Sequence, residues 1–76
     1  MTLTLFQLYR LSDYEEAVGP LYQLEKDNGV LVAHIGKISV ALPTEMEERL
    51  QTHLGKRISI LHTDNPLKPY LIRVVE

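Results

Sequence analysis

The side chains that could carry chemistry are three histidines, three serines and a run of acids. His34, His53 and His62 fall on three different predicted elements, with no cysteine and no H-x3-H spacing. A zinc-type site needs several ligands converging from a compact spacing, so this pattern argues for ordinary half-exposed histidines. Ser12, Ser39 and Ser59 lack the glycine-flanked turn that presents a nucleophilic hydroxyl. Glu45, Glu47 and Glu48 crowd what reads as a helix start, where the helix dipole favours them, so they do not call for acid–base catalysis. There is no glycine loop for cradling phosphate. The expectation is a chain without catalytic residues, bound metal or cofactor.

Seventy-six residues suit one small domain, and 45% hydrophobic residues suit a folded one. With no cysteine, stability must come from packing or from assembly with another chain. The segment MTLTLFQLYRL has neither a basic leader nor a long apolar run, so a cytoplasmic protein without membrane partners is expected. The net charge of −2 is uneven. Residues 1–52 carry four basic and eight acidic side chains, whereas residues 53–76 carry four basic and two acidic ones.

These residues must be positioned by short elements. Thr2 to Leu11 reads as a strand, with a helix as its rival, because Leu5, Leu8 and Tyr9 also satisfy helical spacing. Ser12 to Pro20 reads as an acidic connection: Ser12 and Glu15 have capping-box spacing and Gly19-Pro20 reads as a stop. Leu21 to Lys26 reads as a short strand ending in Asp27-Asn28-Gly29, a strong hairpin signal. Val30 to Leu42 changes its apolar phase at Gly36, which predicts one long strand with a bulge there; a tight turn at Gly36-Lys37 is the alternative.

Pro43 to Gly55 reads as a helix, with a T-x-x-E capping box from Thr44 to Glu47. Met46, Leu50 and Leu54 would form its apolar stripe, Glu45 and Arg49 a surface ion pair, and Gly55 its stop. Lys56 to Thr63 reads as a strand, Asp64 to Pro69 as a loop, and Tyr70 to Val75 as the last strand. The predicted order is β-β-β-α-β-β, mainly β with one helix. Closure into a small five-stranded barrel would hide both edges of such a sheet.

The Asn28-Gly29 hairpin, Gly36, the Thr44–Leu54 helix and the Asp64–Pro69 loop together resemble the OB-fold, a five-stranded barrel with its helix between strands three and four. The resemblance lies in architecture and covers nearly the whole chain. It implies weak binding of single-stranded nucleic acid, through rings that stack on bases and cations that meet phosphates. The candidates are Phe6, Tyr22, Lys26, Lys37, Arg57, Lys68, Tyr70 and Arg73. Against it, the middle strands carry no aromatic residue, and Ser12 to Pro20 would repel phosphate. The same rings also suit a core and the same cations a solvated surface. The alternative is a protein–protein interaction or assembly module, including a homodimer. The segment Leu3, Leu5, Phe6, Leu8 and Leu11, apolar in both phases, is expected to be covered by the helix or by a second copy.

Overall fold

Alternating apolar residues between glycine- and proline-bearing turns fold here into one six-stranded sheet with a short helical segment. A computed structural model describes residues 8–75. The elements are β1 (Leu8–Tyr9), β2 (Glu16–Asp27), β3 (Val30–Ile35), β4 (Ile38–Pro43), a 3-10 turn (Thr44–Met46) running into α1 (Glu47–Gln51), β5 (Arg57–His62) and β6 (Tyr70–Val74). Their order across the sheet is β1-β4-β3-β2-β5-β6. All neighbours are antiparallel except β1, which runs parallel to β4. The chain is mainly β with one short helix, as expected, but the sheet has six strands and does not close, so a five-stranded barrel is not what it shows. Most of the expected strand at Thr2–Leu11 lies outside the described residues; its described part forms β1 at Leu8–Tyr9.

Three local readings are corrected. First, Gly19-Pro20 does not stop a strand. Both residues lie inside the twelve-residue β2. Proline lacks an N–H, and Pro20 sits where β2 changes partner, from Arg57 of β5 to Ile35 of β3. The register then slips between Leu21 and Gln23, leaving Tyr22 as the extra residue of a bulge. Gly19 is needed for closeness: a Cβ there would lie 3.2 Å from Ile35 Cγ2 and 3.3 Å from the Gly36 nitrogen. Ser12 and Glu15 cap a turn instead of a helix. Glu15 N–H donates to the Ser12 carbonyl at 2.9 Å, and Ser12 N–H donates to Glu15 Oε1 at 2.7 Å.

Second, Gly36 is a turn and not a bulge. Its φ of +59° and the pairing of Ile35 with Ile38 make a two-residue hairpin, so Val30 to Leu42 is two strands. The phase change follows directly, because Leu31 pairs with Leu42 and Ala33 with Val40 on one face. The Asn28-Gly29 hairpin forms as its sequence requires, with φ of +53° and +77°.

Third, the helix is shorter than its pattern. Met46 and Leu50 are buried, but Leu54 is exposed and lies beyond the last helical residue. Thr44 makes no capping hydrogen bond, and Glu47 instead pairs with Lys26 of β2 at 2.8 Å. Glu45 and Arg49 form no ion pair among the described residues. Gly55, at φ +86°, donates its N–H to the Leu21 carbonyl, which draws the chain from the helix into the ladder of β5.

The core lies between the two arms of the bent sheet. Leu21, Leu31, Ile35 and Val40 meet Ile58 and Ile60, with Met46 and Leu50 closing one side. Leu24, Tyr70 and Ile72 pack at its margin. On the opposite face of β3 and β4, Val32, His34 and Ala41 are also buried.

Candidate binding groove

The eight candidate residues do not form one surface. Phe6 lies outside the described residues. Tyr22 is well exposed, at 59%, but its ring leans on His34, with centroids 5.8 Å apart. Lys26 is committed to Glu47. Lys37 sits in the turn between β3 and β4, and Arg57 pairs with Pro20, whose carbonyl accepts the Gly36 N–H, so these two cations belong to the bend of β2.

Lys68, Tyr70 and Arg73 are brought together. They line a groove of about 590 Å³ between β6 with its preceding loop and the segment running from Pro43 into α1. Tyr70 is not a free stacking platform, however. It is half-buried, packs against the core, and tilts against the His62 ring at a centroid distance of 4.8 Å. The facing wall adds Met46 and Arg49, and the loop adds Leu67, which is 89% exposed. Arg49 could have been found by extending the helical pattern around its polar face. Leu67 could have been found as a large apolar residue between two prolines.

The ladder fixes what β6 presents to the groove. Val75 N–H donates to Arg57 O, and Thr63 N–H donates to Pro69 O, at the two ends of the β5–β6 pairing. Hydrogen-bonded and non-hydrogen-bonded pairs alternate along an antiparallel ladder, so Leu71 and Arg73 turn their backbone groups toward β5. Tyr70, Ile72 and Val74 therefore turn N–H and C=O outward from the last strand of the sheet. Residues of both side-chain phases, Tyr70 and Ile72 as well as Leu71 and Arg73, line the groove. It thus opens onto the strand's edge and not onto one face. Arg49, Lys68 and Arg73 have no ion-pair partner among the described residues.

Elsewhere, polar groups are tied to structure. His34 Nε2 lies 2.6 Å from Glu25 Oε2, and its Nδ1 lies 2.9 Å from Ser39 Oγ. A carboxylate only accepts, so Nε2 carries the proton shared with Glu25, and in the neutral ring Nδ1 accepts from Ser39. The row joins β2, β3 and β4 across one face. Ser59 hydrogen-bonds Glu16 in the same cross-strand manner. Tyr9 and Tyr14 donate to Glu15 and Asp64, each at 2.7 Å. Those hydrogen bonds, then the adjacent carboxylate charges, raise both phenols above the usual tyrosine value. The Ser12 N–H, then the Tyr9 hydroxyl, hold the Glu15 carboxyl below the usual glutamate value. Tyr14 reaches Asp64 from a left-handed φ of +64°, clamping the first turn to the loop before β6. His62 Nδ1 is buried without an aligned hydrogen bond, 3.3 Å from Asp13 Oδ1. Among the described residues, no three His, Cys, Asp or Glu side chains gather closely enough to hold a metal ion, and no helix is long and apolar enough to cross a membrane.

No family model, curated protein or solved structure matches the chain.

Proposed function

We propose that the chain is a non-enzymatic protein-interaction module that receives an extended segment of a partner as a further strand beside β6. The observation that carries this reading is the coincidence of the groove with an open strand edge. An extended peptide repeats donor and acceptor along its length and can satisfy the outward N–H and C=O of Tyr70, Ile72 and Val74. A phosphodiester backbone has acceptors only and could satisfy just the N–H half of that edge. Among the described residues the groove has one aromatic ring, Tyr70, which is engaged with His62 and the core, and this weakens base stacking.

Weak single-stranded nucleic-acid binding, the reading that follows from an OB-like barrel, stands second. Its support is the three cations Arg49, Lys68 and Arg73, which have no ion-pair partner among the described residues. An amide chemical-shift titration of the full chain separates the two, using ten-residue extended peptides and a ten-residue oligothymidine. Peptide-induced shifts concentrated at Tyr70, Ile72 and Val74 are expected. Salt-sensitive shifts with the oligonucleotide, and none with any peptide, would replace the first reading by the second.

A further inference from the structure

The charge around the groove specifies its occupant. The chain as a whole carries −2, yet among the described residues the groove is lined by Arg49, Lys68 and Arg73 against the single carboxylate of Glu45. Its floor is apolar, with Met46 of the core and Ile72 at the core margin. A strand laid on β6 would alternate its side chains with the same period of two. Those level with Ile72 would turn inward over Ile72 and Met46. Those level with Leu71 and Arg73 would emerge on the outer face, beside the Arg73 guanidinium. Arg49 and Lys68, both exposed, line the same groove and add positive charge around the segment.

We infer that the partner segment is an acidic peptide in which apolar and acidic residues alternate, held by the β6 edge and by the cations at its rim. This inference rests on the docking reading above, and its test separates the two. Three ten-residue peptides are compared on the full chain, alternating valine with glutamate, with glutamine or with lysine. The glutamate peptide is expected to bind roughly tenfold more tightly than the glutamine peptide at low salt, as three exposed ion pairs of ordinary strength would give. That preference should shrink as salt rises, and the lysine peptide should bind weakest. The double substitution Arg49→Gln with Arg73→Gln touches exposed side chains only. It should remove most of the glutamate preference while leaving the glutamine peptide bound. Val74→Pro deletes an outward N–H without breaking the β5 ladder and should weaken both peptides. Equal binding of the glutamate and glutamine peptides would overturn the acidic assignment but leave docking intact. Failure of every peptide to shift the Tyr70, Ile72 and Val74 amides would overturn docking itself.

Discussion

The β2–β3–β4 arm and the β5–β6 arm are built from similar residues and differ in how they are finished. In the first arm, two-residue turns at Asn28-Gly29 and Gly36-Lys37 hold the strands tightly, and Leu31 to Ile35 of β3 are all buried, on both faces. In the second, the connection runs through the proline-bearing loop after His62, and no residue of β6 is fully buried. The first arm is flanked by β1 at Ser39 and Val40 of β4 and by β5 along Glu16 to Pro20 of β2. The second ends in a strand whose outer edge no other described strand covers and which runs along a groove. Burial makes β3 and its neighbours, together with Ile58 and Ile60 of β5, the source of stability, and the unfinished edge makes β6 the place where a partner can add something.

The largest test of that contrast is a pair of truncations. Leu31→Ala, at a fully buried position of β3, should cost about 2–5 kcal/mol. Leu71→Ala, at an exposed position of β6, should cost about 0.5 kcal/mol or less. Denaturant unfolding measures both, and equal losses would abolish the distinction between the arms. Next in size is Gly19→Val, which drives a side chain into Ile35 and the Gly36 backbone where β2 bends. A loss of about 1–3 kcal/mol is expected from such crowding, and an unchanged melting temperature would mean that the two arms are not held at that bend.

A smaller effect is expected at alkaline pH. The raised phenols of Tyr9 and Tyr14 stabilise the fold fully below the unfolded-chain value near 10.0, and that contribution is lost as pH rises through their folded values. Stability should therefore fall above about pH 10, and Tyr14→Phe should flatten part of that fall, since Tyr14 is the clamp between the first turn and the loop before β6. A Tyr14→Phe profile identical to the parent's would remove Tyr14 from the account. The subtlest test leaves stability unchanged. Hydrogen exchange along β6 should alternate, faster at Tyr70, Ile72 and Val74 than at Leu71 and Arg73. Uniform protection would mean that the outer edge is already covered.

Much of this organisation is legible in the sequence where the signal is local. Asn28-Gly29 and the loop prolines each mark a real boundary because backbone sterics act over two or three residues, and the phase change at Gly36 marks a boundary too, although a two-residue turn stands there in place of the expected bulge. The errors arise where distant partners decide. Gly19-Pro20 resembles a stop because a lone proline breaks a ladder, but β2 changes partner at that point. The helical pattern reaches Leu54, but the ladder claims Gly55 through Leu21. The groove was half legible. Lys68, Tyr70 and Arg73 are near one another in sequence, whereas Arg49 joins them only through the fold. Residue type alone groups Tyr22 and Lys26 with them, whereas the structure engages those two elsewhere, with His34 and Glu47.

The length of β2 also bears on how the chain folds as it is made. The hairpins β2–β3 and β3–β4 need only adjacent sequence and can close as soon as they leave the ribosome. The first half of β2 must wait for β5, with Glu16 pairing to Leu61 across most of the chain. During that delay its edge is exposed to other nascent chains. Pro20 lacks an N–H on the other side of β2, where its carbonyl meets the Gly36 N–H, so the waiting half-strand is a poor template for mispairing along the edge turned away from β5.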